Sequence, residues 1–262
     1  MLALKIVFWT SLVLLVWTHV GYPLAAALAA RLRRHRVGSS AIEPTVSIVV
    51  AAHNEEDVVE RRVRNLLDLD YPAERLEILV ASDASIDRTD EIVARLAAED
   101  DRVKLVQCAR AGKVSAQNRG VAASTGEIVA FSDANAVWQR DALRMLVRSF
   151  ADPAVGYVTG RASYEAADGT NREGAYWRFE LWVRAQESRL GSVTAGNGPI
   201  YAVRRADWVD LEPWCGHDLG LPYLMVQRGR RAVYEPAARA FEKPTPSAAA
   251  ARRATCAAST AW

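Results

Sequence analysis

From position 6 to position 30 the chain carries no Asp, Glu, Lys or Arg, and Leu, Val, Ala and Trp dominate the run. About 20 apolar residues cross the core of a bilayer as a helix, so this segment predicts a membrane-crossing helix. Trp9 and Trp17 suit interfacial positions, and Pro23 falls where a kink or a helix end is tolerated. A secretory signal is the competing reading, because Lys5, the run 6–17 and the Ala-rich stretch 25–30 imitate its three regions. The apolar run, however, outlasts a signal core, and Arg31, Arg33, Arg34, His35 and Arg36 follow it at once. Four arginines against Lys5 and the amino terminus put the downstream chain on the cytoplasmic face.

After a short polar linker at 38–44, the hydrophobic spacing alternates between two periods. Residues 46–52 form a continuous β-branched run, the pattern of a strand buried on both faces. Residues 57–69 carry Val58, Val59, Val63, Leu66 and Leu67 at helical spacing, and Tyr71-Pro72 blocks continuation. The alternation repeats: strands at 76–82, 103–107, 128–132 and 155–160, and helices at 88–99, 113–123, 141–150 and 176–190. Successive β-α units predict an α/β fold with a mostly parallel sheet and helices on both faces. Such a sheet binds ligands at the carboxyl ends of its strands, so the loops that follow strands are the places to look for chemistry.

The 262 residues are 50% hydrophobic and 24% charged, enough for one sizeable packed domain, and the net charge of +2 gives no sign of a nucleic-acid partner. Cys108, Cys215 and Cys256 are scattered without metal-like spacing, as in a reduced cytosolic domain.

The loop after the first strand reads His53-Asn54-Glu55-Glu56 and lacks the glycine-rich turn of a dinucleotide site. The second strand runs out into Asp83, and a Ser/Asp-rich turn follows in which Asp87 reads as a helix cap. Asp83 lies too near the strand end to be that cap and reads as a ligand-binding residue. The third strand leads to Gly112-Lys113 at a helix start, where an ammonium and free backbone N–H groups together suit a phosphate. The fourth ends in Ser132-Asp133-Ala134-Asn135, and a carboxylate there is suited to a divalent cation that also grips a diphosphate. Asp83, Lys113 and Asp133 thus fall along one sheet edge.

With these motifs in view, the chain resembles family 2 of the inverting glycosyltransferases, which have the nucleotide-sugar-binding GT-A fold. The likeness is carried by VSIVVAAHNEE (46–56), SDASIDRT (82–89), Gly112-Lys113 with Asn118-Arg119-Gly120, and SDAN (132–135). Further on, AGNGPIYAVR (195–204) and GHDLGLP (216–222) match the acceptor side, so the similarity runs from about 46 to 242. The resemblance implies that Ala51, Glu55 and Asp83 line the nucleotide pocket with Lys113 beside it. Asp133 and Asn135 would hold Mg2+ or Mn2+ with the donor diphosphate, and Asp218 would be the general base. His217, next to the base, is more often structural in such a place than functional.

The implied organisation is an anchor at 1–30, a basic linker at 31–45 and a GT-A domain at 46–243, followed by an irregular tail at 244–262. Within that domain, 46–150 is the nucleotide-binding half and 151–243 the acceptor half. The expected partners are a nucleotide-sugar, perhaps a UDP-sugar, a saccharide or lipid-linked acceptor, and the membrane.

Two departures stand out. The metal motif has an amide, Asn135, where a second carboxylate is usual, and the Gln-x-x-Arg-Trp pattern of processive synthases does not follow Asp218. A polyprenyl-phosphate sugar synthase, whose acceptor needs no base, and a non-catalytic nucleotide-sugar binder remain as alternatives. The aromatic and basic helix expected at 176–190 either covers the sheet or rests on a membrane surface.

Overall fold

The computed structural model describes residues 1–32, 37–164 and 174–242, with the side chain of Tyr164 left out. Most of the basic cluster (33–36), Cys256 and the tail expected at 244–262 therefore lie outside the described residues.

The apolar run forms one long helix built of α1 (Leu2–Val16), a wide π turn (Trp17–Gly21) and α2 (Tyr22–Leu32). The π turn sits just before Pro23, which has no N–H to return to the carbonyl four residues back, and Tyr22 N donates to Trp17 O instead. Nothing in α1 or the π turn is buried, whereas α2 buries Pro23, Ala26 and Ala30. These small residues let α2 pack against a helix of the domain, α7 (Ala175–Leu190). Tyr22 Oη donates to Glu187 Oε1 across that contact at 2.6 Å.

The strands are β1 (Val46–Ala52), β2 (Leu76–Asp83), β3 (Val103–Cys108), β4 (Ile128–Asp133), β5 (Val137–Trp138), β6 (Val155–Tyr164), β7 (Tyr201–Arg204) and β8 (Arg231–Glu242). They make one eight-stranded sheet in the order β3-β2-β1-β4-β7-β6-β8-β5. The first four pair in parallel, as the spacing predicts. Beyond β4 the sheet is mixed: β7 is antiparallel to β4 and β6, while β6 and β8 are parallel. A purely parallel sheet therefore describes the first half only.

The remaining helices are α3 (Val59–Leu67), α4 (Thr89–Glu99), α5 (Lys113–Ala123), α6 (Ala142–Val147) and α8 (His217–Gln227). The helix expected at 141–150 stops at Val147 and tightens into a 3-10 turn over Arg148–Ala151. One apolar layer joins Ile48 and Val50 of β1 to α3, α4 and α6, and the other joins Val49 to α5 and α8. Ile48, Val49 and Val50 are fully buried, and each such side chain contributes roughly 1.5–3 kcal/mol by leaving water. On α5, a Cβ at Gly120 would come 2.5 Å from Val49 Cγ1, so this glycine lets the helix press onto the sheet. That contact fixes the height at which Lys113, at the other end of α5, meets the strand ends.

Candidate functional site

The loops after β1 and β2 brace each other. Asn54, held at a positive φ of 56°, accepts from Ile86 N with its side-chain oxygen at 2.9 Å. Glu55 N and Glu56 N donate to Thr89 Oγ1 and Asp87 Oδ2, while Asp87 Oδ1 accepts from Thr89 N; the N-cap of α4 is Arg88, one residue past the expected Asp87, which braces the turn instead. Ala84 also sits at positive φ (52°), a costly conformation for a residue with a side chain and one that clusters at functional turns.

Asp83 is buried, and its carboxylate accepts from Ala111 N (2.8 Å), Gly112 N (3.0 Å) and Arg110 Nη1 (2.7 Å). Gly112 turns its N–H toward this acid at a φ of +90°, which a glycine alone adopts freely. The acid expected to meet a ligand therefore first fastens the loop that carries Lys113. It still lines a cavity of about 260 Å³ together with Ala51, His53, Glu55, Arg110 and Lys113. Burial raises the pKa of Glu55 in this cavity, and the charges of Asp133 and Asp87 add to the rise.

Next to that cavity, Lys113 Nζ forms an ion pair with Asp133 Oδ1 at the end of β4. Behind Asp133, Arg62 of α3 is buried, with Nη2 donating to Ser132 Oγ at 2.6 Å and the guanidinium 5.2 Å from the Trp138 ring centre. Burial lowers its pKa to about 9, and the Asp133 charge works against that fall. Sequence reasoning did not pick out Arg62, although it lies on the apolar stripe of Val59, Val63 and Leu66, where a charged residue is unexpected.

The acceptor half closes the site. A Cβ placed on Gly198 would lie 3.6 Å from Asp133 Oδ2, 3.8 Å from Asp218 Oδ2 and 4.0 Å from Lys113 Nζ. Three charged groups from three elements thus converge on one glycine, in the space a side chain would fill. Asp218 is in the first turn of α8 and its carbonyl accepts from Gly196 N at 2.7 Å, tying the helix start to the 195–198 loop. Unlike Asp83 and Asp133, it does not stand at the end of a strand.

Asn197 anchors the same loop from beneath. It is buried, donates from its backbone N to Thr159 Oγ1 at 2.8 Å and from Nδ2 to the Gly160 carbonyl, and accepts from Arg184 of α7. His217 is structural, as its neighbours show: it is buried, with Nδ1 2.6 Å from Gln117 Oε1 and Nε2 2.9 Å from Asn118 Oδ1. Burial lowers its pKa to about 4, so the ring is neutral and joins α8 to α5. Asn118 of the NRG motif is thereby a strut. The helix α7 buries Leu181, Arg184 and Glu187 and packs on α2 and β8, so it covers the domain and receives the long helix.

Among the described residues no group of three or more His, Cys, Asp or Glu is placed to hold a metal ion. The oxygen donors at the sheet edge are instead Asp133, Asn135 and a residue the motifs did not mark, Glu242. The pairing of Val137 with Phe241 in antiparallel register brings Glu242 beside Ala136. Burial raises the pKa of Glu242, the Asp133 charge raises it further, and a hydrogen bond with Asn135 opposes the rise. Two carboxylates and an amide that share an edge, with the acids repelling one another, fit a divalent cation with oxygen ligands.

A cavity at the ends of parallel strands, beside a charged cluster to which a separate helix adds a carboxylate, is the layout of a GT-A architecture. The chain belongs to glycosyl transferase family 2, which residues 47–211 match. It is 34% identical over 211 residues to a beta-monoglucosyldiacylglycerol synthase of Trichormus variabilis, covering 78% of this chain and 45% of that one. It is 25% identical to a poly-beta-1,6-N-acetyl-D-glucosamine synthase of Staphylococcus aureus, covering 74% of this chain and 48% of the other. The chain thus spans about half the length of these curated relatives. A mannosyltransferase from Pyrobaculum calidifontis, solved with GDP-Man and Mn2+, superposes with a TM-score of 0.75 at 26% identity over 92% of this chain and 70% of that one.

Proposed function

We propose that this chain transfers a sugar from a nucleotide-sugar, a UDP-sugar by preference, to a saccharide or lipid-linked acceptor with inversion at the anomeric carbon. The convergence of Lys113, Asp133 and Asp218 on Gly198 carries this reading. Ala51, Glu55 and Asp83 line the cavity for the nucleoside. The first turn of α5 and the Lys113 ammonium bind the diphosphate, where backbone N–H groups and a cation act together. Asp133, Asn135 and Glu242 would hold Mg2+ or Mn2+, which offsets charge on the departing diphosphate. Asp218 takes the proton of the acceptor hydroxyl as its oxygen bonds to the anomeric carbon and the bond from that carbon to the diphosphate breaks. Lys113 stays beside the leaving group as its charge grows.

In this reading the domain, 46–243, is membrane-tethered on the cytoplasmic side. The helix Leu2–Leu32 is long and apolar enough to span a bilayer, and arginines follow it.

Nucleotide release from UDP-, GDP- and dTDP-sugars by the full chain, with and without Mn2+, tests the proposal. Metal-dependent release that disappears in Asp133→Ala supports it. Nucleotide binding without release from any donor would favour a non-catalytic binder instead.

A further inference from the structure

The long helix leaves the domain at Tyr22. Residues 2–20 are exposed, and about 20 residues of helix rise roughly 30 Å, the thickness of a hydrocarbon core, with Lys5 near the far end where its ammonium reaches the headgroups. Tyr22 therefore marks the level at which the bilayer gives way to the domain. Its hydroxyl is bonded to Glu187 of α7, and the Tyr223 phenol of α8 lies within electrostatic reach of it. That brings the Tyr223 turn of α8 near the same level.

The outward face of α8 is apolar up to the exposed Gln227 at its end. Leu219, Tyr223 and Val226, at helical spacing i, i+4, i+7, are 58%, 57% and 52% exposed, while His217, Leu221, Pro222 and Met225 point into the domain. Trp214, just before the helix, is 84% exposed. On the long helix, Leu24, Leu28 and Leu32 stay exposed at four-residue intervals, so apolar surface runs on past Tyr22. Arg228, exposed at the far end of α8, suits a lipid phosphate. A soluble surface seldom gathers this much apolar area without a partner, and Tyr and Trp favour a membrane interface.

Asp218 precedes Leu219 in the first turn of α8, with its carboxylate turned to the gap at Gly198. We infer that the outward face of α8, with Trp214, is seated in the interfacial layer of the bilayer and brings the hydroxyl of a membrane-embedded lipid acceptor to Asp218. The inference rests on the membrane-tethered reading above and narrows its acceptor to a lipid in the bilayer. The occupant is lipid because the surface continues from the membrane-crossing helix at its own depth.

The test uses the full chain in vesicles of brominated phosphatidylcholine and phosphatidylglycerol, with bromine on the acyl chains as a contact quencher of tryptophan. Trp9 and Trp17 report whether the long helix is inserted. Tyr223→Trp adds a reporter on α8, and Trp214→Phe removes the one before it. The expected result is that the emission added by Tyr223→Trp and the emission lost in Trp214→Phe are both quenched. A second arm uses Tyr223→Glu combined with Val226→Glu, with diacylglycerol in the vesicles as the acceptor probe. Transfer to diacylglycerol should fall at least about tenfold while donor hydrolysis by water stays within about twofold, because the change removes interfacial seating and leaves the donor site intact. Quenching of Trp9 and Trp17 without quenching at 223 or 214 would overturn the inference and leave the anchor standing. Absence of quenching at all four positions would overturn the tethered reading and the inference with it.

Discussion

The two halves of the domain hold their functional groups by different means. In residues 46–150 each group stands at the end of a parallel strand or the start of the helix that follows. The sheet fixes its position, and Asp83 ties the loops together through backbone N–H groups. In residues 151–242, apart from Glu242 at the end of β8, the groups stand on a loop and a helix start, held by buried polar side chains from other segments: Asn197 with Arg184 and Thr159, and His217 with Gln117 and Asn118. A sheet edge tolerates change in its loops, whereas a buried polar network fails when one member is lost, because the partners left behind are desolvated and unpaired.

The sharpest way to break this arrangement is to fill the space the halves share. Gly198→Val should reduce transfer by about 1,000-fold with the fold intact, because its methyl groups would occupy the gap among Asp133, Asp218 and Lys113. Circular dichroism together with nucleotide release checks both parts. Asn197→Ala removes one strut of the acceptor half and should cost about 100-fold in transfer with about 2–4 kcal/mol of stability, since Arg184 and the Gly160 carbonyl lose a buried partner. Kinetics and denaturant melts would show it. In the nucleotide half, Lys113→Met should weaken donor binding about 10- to 100-fold, as for one charge-assisted contact, and leave stability nearly unchanged. Calorimetric titration with the nucleotide diphosphate reads that out.

A further effect, on stability alone, concerns pH. The His217 pKa is about 4 in the folded chain against an ordinary value of 6.5 for an exposed histidine, so the unfolded chain binds the extra proton first as pH falls. His217 should therefore contribute full stability above pH 6.5, lose it progressively down to pH 4 and change no further below that. The loss is at most about 3 kcal/mol. Melts of His217→Gln should lack this part of the acid dependence.

The same contrast explains what the sequence revealed. The parallel half was legible because β-branched runs and helical spacing alternate without interruption from 46 to 150, and Asp83, Lys113 and Asp133 fall where strand-end chemistry must fall. In the mixed half no local pattern singled out a residue, and Asp218 was picked out by resemblance alone. Its strands pair with partners far along the chain, as β8 does with β6 and β5, and no local period encodes that. Glu242 is brought beside Asn135 by this long-range register, so no motif at either position announces the pair. Arg62 had a readable signal, a charge on an apolar stripe, but its partner Ser132 lies 70 residues away.

The central claim is that Asp218 acts on the acceptor while the strand-end groups hold the donor. Donor affinity by titration and transfer rate should be measured together on Asp218→Asn. The account predicts affinity within about threefold of the unaltered chain and transfer slower by about 100-fold or more, the usual contribution of a positioned base. Transfer at an unchanged rate would contradict it and point to an acceptor, such as a phosphate, that needs no base.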